Sequence, residues 1–382
     1  MPIVVREIRA FEGPNLYYPQ AAVKLQAWAD RDISRQISDT LKNWAQVTGM
    51  VIGYLRQYAD VVPDGVVITT TWTTPLPTVG AQIAEQVVAD IDAAERNDED
   101  YDHDDALMAI IGERKRQEPS MALLQLLAEA HAHDVPVLRR TDGHLVVGTG
   151  ARSWNFDPAG LSLGLGVDVP WDSVGTVPLV AVTGPDAAAV TRLIVSFAER
   201  TGRRVGCTDE HGIMIVGEQV STEPSADWDG ARRVLTDGRV DVAVVAVSLQ
   251  SIHERGLGFD ECRVSVVTGV NGDERLAEAH GVVVLATAPD GTVVLNADEP
   301  AVLALRDWTG SKQIVYTTQE LPVEPDETTS IVRSVNDVIR VSSAEKVENI
   351  PRRETIPIEH LLPAIAAAHA LGIDIATREQ FS

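Results

Sequence analysis

Lysine is almost missing from this chain. Its 382 residues contain five, Lys24, Lys42, Lys115, Lys312 and Lys346, and none lies between Lys115 and Lys312. Any mechanism that needs a lysine in that interval is excluded. Arginine carries the positive charge there, and it is outnumbered. The 32 Lys and Arg residues stand against 56 Asp and Glu, a formal net charge of -24. This balance argues against nucleic acid, whose phosphates demand a basic footprint, and equally against an anionic membrane surface. Two cysteines, Cys207 and Cys262, cannot build a disulfide framework or a four-thiolate metal site. No stretch approaches the roughly 20 apolar residues of a membrane span. The opening MPIVVREIRAFEGPN also lacks the apolar core of a signal peptide. The expectation is a soluble, cytoplasmic protein whose negative charge serves solubility.

The length suggests two or three domains, and hydrophobic and charged shares of 45% and 23% are those of an ordinary globular chain. Residues 1–150 read as a smaller α+β domain. IVVREIRAF and AAVKLQAW are expected as strands around a Gly-Pro-Asn turn, 34–56 as a helix and VVITTTWTT as a strand. GAQIAEQVVADIDAAE has Ile83, Val87, Val88 and Ile91 at helical spacing. NDEDYDHDD, 97–105, reads as a solvated loop with a helix cap rather than a metal site, because nothing orients its carboxylates. A helix, a strand, an Asp142-Gly143 turn and a further strand follow. Residues 151–176, rich in Gly, Asp and Pro, read as a linker.

From 177 to 382 the pattern becomes regular. VPLVAVTG, VDVAVVAVSL, RVSVVTGV, GVVVLAT, TVVLNAD and QIVYT are continuous apolar runs of the kind found in strands buried on both faces. Helices are expected over 187–201 and 227–236, and a hairpin in GCTDEHGIMIVGEQV. The alternation predicts an α/β fold with a doubly wound, mostly parallel sheet. Its first strand runs into Thr183, Gly184, Pro185, Asp186, Ala187 and Ala188 before a helix. That is the layout of a phosphate-binding loop, in which backbone N–H groups and a helix N-terminus hold phosphate oxygens. Yet the Gly-Lys-Ser/Thr that does the holding is missing. Pro185 offers no N–H donor, and Asp186 adds negative charge where polyphosphate would sit.

Several runs beyond the loop resemble one family. VGCTDEHGIMIVGE, VDVAVVAVSLQSIHERGLGFDECRVSVVTGV and GTVVLNADEP resemble the central domain of the Mur ligases, and specifically the Mur-like half of cyanophycin synthetase. REIRAFEGPNLYYP and HDVPVLRRTDGHLVVGTGAR resemble, more weakly, the two ends of the N-terminal domain of cyanophycin synthetase. The resemblance implies a P-loop NTPase-like central domain over 177–382. It also implies that 151–176 stands where an ATP-grasp domain would lie, and that the C-terminal Mur domain is lacking. The family loop reads TGTNGKTT. Its catalytic glutamate, a magnesium ligand, falls at Ala246; its metal-site histidine falls at Glu274; and the lysine that many members carbamylate falls near His280. Asn296 and Asp298 correspond to a region near adenine and ribose. Read on their own, they are expected to cap the helix that starts at Glu299-Pro300.

These losses lead to an expectation of a catalytically inactive relative, with no catalytic residue, no metal and no cofactor. It would act as a scaffold or regulator toward a protein partner, a second copy, an active ligase of the same family, or a peptide or polymer. Two alternatives stay open. One is an ATP- and magnesium-dependent acid–amino acid ligase with a rebuilt site, using Arg192, Arg203 or Arg204 with Asp186, Asp209 and Asp273. The other is a nucleotide sensor without turnover. Weaker candidates are a thiol pair of Cys207 and His211, the histidines His103, His131 and His133, and a surface built on Trp28, Trp44 and Trp72.

Overall fold

A computed structural model of the chain describes residues 3–98, 100–140, 142–319, 325–335, 338–344, 346–352, 355–373 and 375. The chain divides into two compact units. The first comprises Met1–Pro119 with Glu254–Gly256, and the second Ser120–His253 with Leu257–Ser382.

The first unit is a four-stranded antiparallel sheet backed by helices. Its strands, β1 (Val4–Phe11), β2 (Ala22–Ala29), β3 (Leu55–Val62) and β4 (Gly65–Thr73), lie in the order β1-β2-β4-β3. Helices α1 (Ser34–Thr48) and α2 (Pro77–Arg96) cover one face, and α3 (His103–Gln117) follows. Val23, Leu25, Ile68 and Trp72 of the sheet share a core with Ile37, Leu41, Trp44, Ile83 and Val87 of the helices. Alternating apolar positions on strands thus meet helical-period positions on α1 and α2. Helix α1 stops earlier than the pattern over 34–56 implies. Gly49 takes φ 69° after Thr48, and Met50 donates back to the Ala45 carbonyl, closing the helix and freeing the chain for β3. Asp102 caps α3 as expected, accepting from the amides of Asp104 and Asp105.

The second unit opens with α4 (Met121–Ala132) and a three-stranded sheet of β5 (Val137–Arg139), β6 (Leu145–Val147) and β7 (Trp154–Phe156), followed by the short α5 (Ala159–Ser162). The division between units therefore falls at 119/120 rather than at 150, and the stretch read as a linker is folded. Leu161, Val169 and Val174 are buried with Leu126 and Val147 in one small core. Gly and Pro dominate the local signal of 151–176, but burial of its few valines and leucines decides the outcome. Gly150, at φ 54°, lies so close to the Val240 carbonyl that a Cβ would sit 2.4 Å from that oxygen.

The rest is a doubly wound sheet. Strand β8 (Leu179–Thr183) is followed by α6 (Ala187–Arg200), then by the meander β9 (Val205–Asp209), β10 (Gly212–Ile215) and β11 (Glu218–Ser221). Helix α7 (Trp228–Leu235), β12 (Val242–Val247), α8 (Leu249–Glu254), β13 (Cys262–Val267), α9 (Ala277–Leu285) and β14 (Thr287–Asn296) come next. The chain continues through α10 (Pro300–Leu303), β15 (Lys312–Thr317), β16 (Thr329–Val335), β17 (Val338–Ser342), β18 (Val347–Pro351) and α11 (Ile358–Ala370). These strands form one eleven-stranded sheet, in the order β11-β10-β9-β12-β8-β13-β14-β15-β16-β17-β18. From β9 to β16 every neighbouring pair is parallel, and the antiparallel strands lie at the two ends. Helices α6 and α11 share the largest core with the sheet, including Val182, Val190, Ile194, Val244, Val266, Leu362 and Ile365. Full burial of each such side chain contributes roughly 1.5–3 kcal/mol.

Two expectations change here. GVVVLAT is not a strand: Gly281–Leu285 ends α9, and only Thr287 begins β14. Val282, Val283 and Val284 are all buried, and a short run buried on every side carries no period that separates helix from strand. The sheet is also expected to end with QIVYT, the last apolar run, but β16, β17 and β18 extend it. Among the described residues no helix is long and apolar enough to cross a membrane.

Candidate phosphate-loop site

Strand β8 has β12 on one side and β13 on the other, so the sheet reverses its direction of winding there. Ligands of open α/β sheets bind beyond the carboxyl ends of the strands at such a point. The residues found there are Thr183 to Asp186 from the end of β8, Val247 at the end of β12, Thr268 and Gly269 after β13, and Asn296 to Glu299 from the end of β14.

Thr268, which the sequence reading passed over, organises this end of the sheet. Its amide donates to the Thr183 carbonyl at 2.9 Å, and its Oγ1 donates to the same oxygen at 3.2 Å. That Oγ1 also accepts from the Asp186 amide at 3.3 Å. Its carbonyl accepts from both Asn296 Nδ2 and Tyr316 Oη at 2.9 Å. Gly184, at φ 112°, is pressed against this hub: a Cβ there would lie 2.3 Å from Thr268 Oγ1. The Ala187 amide turns back to the Gly184 carbonyl at 3.2 Å. Pro185 has no N–H, and the amides of Asp186 and Ala187 already have acceptors inside the protein.

His280 of α9 joins the loop from below. Its Nδ1 lies 2.8 Å from Thr183 Oγ1, which lies 2.9 Å from the Val247 carbonyl. A carbonyl can only accept, so the hydroxyl donates to it and accepts from His280 Nδ1–H, which sets the imidazole tautomer. Burial pushes the His280 pKa down to about 4, with His253 adding to the effect, so the ring is neutral at physiological pH.

The surroundings are acidic. Asp186 Oδ1 stands 3.3 Å from His360 Nε2 of α11. Glu299 Oε2 accepts from the Val270 amide at 2.9 Å, and the same carboxylate fills the space where a Cβ of Gly269 would go. Burial raises the Tyr316 hydroxyl pKa well above its ordinary value, and the charges of Asp186, Glu299 and Asp298 push it further. Among the described residues no three His, Cys, Asp or Glu side chains are grouped to hold a metal ion.

The other positions singled out by sequence fall as follows. Ala188 lies in the first turn of α6. Ala246 is buried within β12 in the core under α6 and α11, not at the strand end. Glu274 is exposed in a short turn. Asn296 and Asp298 do not cap α10, whose N-cap Glu299 makes no side-chain cap bond. Instead Asn296 ties β14 to Thr268, while Asp298 accepts from Thr317 Oγ1 and from the Thr318 amide at 2.9 Å. A bond to a neighbouring strand end satisfies these side chains as well as a helix cap would.

Arg192 Nε pairs with Asp209 Oδ2 at 2.8 Å, and Arg204 makes two bonds to Asp241. Arg203 and Arg204 precede β9 and so stand at the amino end of the parallel strands, away from the loop. Asp273 pairs with Arg275. Burial pushes the Cys207 thiol up to about 12, which removes the thiolate that a nucleophile needs. His103 contacts Asp90 and the Trp44 ring, and His133 stacks on Trp171 at 4.4 Å. Trp44 and Trp72 are core residues.

Comparison with known proteins agrees with the resemblance expected from sequence. A cyanophycin synthetase of Crocosphaera subtropica is 32% identical over 199 residues, covering 47% of this chain and 23% of that protein. One from Synechocystis sp. is 31% identical over 159 residues, covering 39% and 18%. The chain thus spans less than a quarter of the length of these curated relatives. Among solved structures, a UDP-N-acetylmuramoyl-L-alanyl-D-glutamate–2,6-diaminopimelate ligase has a TM-score of 0.43 at 15% identity, over 52% of this chain and 44% of that one. FolC of E. coli, solved with DHPP and ADP, has a TM-score of 0.36 at 14% identity, over 53% and 54%. A family model described as "Domain of unknown function (DUF4938)" matches residues 2–316, and the chain belongs to that family.

Proposed function

We propose that this chain is a catalytically inactive relative of the cyanophycin synthetases that works by association rather than by ATP-dependent amide-bond formation. One observation carries the reading: the loop amides of Asp186 and Ala187 bond internally, to Thr268 Oγ1 and to the Gly184 carbonyl, with Asp186 placed at the start of α6. A helix N-terminus favours negative charge. Here the protein's own carboxylate supplies it, with Asp298 and Glu299 close by. No lysine is available to reverse that potential. These residues do not fit a magnesium–polyphosphate group, and no chemical step is assigned to one. The rebuilt-ligase reading loses support because Arg192, Arg204, Asp209 and Asp273 are already paired with one another or with neighbours.

The proposed partner is a protein or peptide, and the formal charge of -24 favours a basic one.

Calorimetric titration with ATP, with and without magnesium, tests the proposal. The expected result is no heat and no thermal stabilisation. Micromolar magnesium-dependent binding with amino-acid-dependent phosphate release would establish a rebuilt ligase instead, and binding without turnover would establish a nucleotide sensor.

A further inference from the structure

Beneath the parallel strands, at the end opposite Thr183, the second unit has a cavity of about 630 Å³ that opens to solvent. That is the size of a small-molecule site, for which about 300–1,000 Å³ is usual. Its floor is apolar, built by Leu138 of β5, Leu179 at the start of β8 and Phe259 just before β13. Its rim is acidic. Asp134, Asp260 and Glu261 line it, and none of the three has a hydrogen-bond or ion-pair partner through its side chain among the described residues. The fourth rim carboxylate, Asp290, is paired with Arg263, and the remaining basic group is His131.

Asp134, Asp260 and Glu261 are exposed, and around one concave apolar surface they give it a negative potential that its low-dielectric walls focus into the space between them. A cation with an apolar body answers that charge and lies against the floor. We propose that this cavity binds a small organic cation, an amine or guanidine carried on a short hydrocarbon or aromatic body. The site is independent of the phosphate loop, since its residues lie at the other end of the same strands.

The test is titration of the full chain with phenethylamine and with agmatine, followed by calorimetry and thermal unfolding. The uncharged 2-phenylethanol and the anionic 3-phenylpropionate serve as controls. The expected result is saturable binding of at least one cation, weakening as salt is raised, with no saturable binding of either control. The double variant Asp260→Asn/Glu261→Gln should weaken cation binding at least fivefold while the ligand-free unfolding midpoint stays in place. Ala288→Phe, which narrows the cavity from the half-buried rim, should abolish it. Failure of both cations to bind, equal binding of the alcohol, or unchanged affinity in either variant would overturn the proposal.

Discussion

The two ends of the parallel strands treat charge in opposite ways. At the carboxyl end, Thr183, Thr268, His280, Asn296 and Tyr316 bond to one another, and Asp186 and Glu299 are held by His360 and the Val270 amide. At the amino end, Asp134, Asp260 and Glu261 face an open space of about 630 Å³. The end that the fold ordinarily dedicates to ligands is closed by internal hydrogen bonds. The end that ordinarily carries only stability keeps unanswered charge. Polar groups with internal partners lose little by excluding a ligand, whereas unpaired ones gain by accepting one.

The largest break in this comparison should come from Gly184→Ala. Its Cβ would lie 2.3 Å from Thr268 Oγ1 on a backbone at φ 112°, and the expected loss is about 3 kcal/mol in urea unfolding. A loss under 1 kcal/mol would mean that the loop can move off its hub. His280 provides a test through pH. Its folded pKa of about 4 lies below its ordinary 6.5, so the unfolded chain binds the proton more readily. Stability from this group is full above pH 6.5, falls as pH drops from 6.5 to 4, and levels off below. Over that window the wild type should lose about 3 kcal/mol more than His280→Gln. Parallel pH profiles for the two proteins would show that the ring is not buried in its neutral form.

Thr268→Val keeps the shape but leaves the Asp186 amide without its acceptor. It should cost about 1–2 kcal/mol, and restoring the hydroxyl with Thr268→Ser should recover part of the loss. The smallest effect belongs to the amino end. Asp260→Asn should change stability by less than about 0.5 kcal/mol, because no partner is lost. A large loss there would reveal a structural contact and remove the contrast between the two ends.

Much of this was legible in the residues. VDVAVVAVSL and RVSVVTGV became β12 and β13, each with a parallel neighbour on both sides and buried on both faces. The missing lysine and the Pro185-Asp186 pair were visible in the sequence. Thr268, Tyr316, Glu299 and His360 were not legible as loop partners. They come from four separate segments, and nothing local to each distinguishes a polar residue at a strand end from any other. The cavity was invisible for the same reason: Leu138, Leu179 and Phe259 are far apart in sequence, and each looks like ordinary core.

Sequence by itself determined the strands β8, β12, β13 and β15, the helices α6 and α7, the doubly wound class, and the absence of lysine between Lys115 and Lys312. These follow from local hydrophobic period and from which side chains are present at all. Only the tertiary structure decided that GVVVLAT closes a helix, that 151–176 folds, that the sheet continues to β18, and which polar groups at its two ends find partners. Burial and hydrogen-bond satisfaction are properties of pairs of segments, and a pair exists only once the chain has folded.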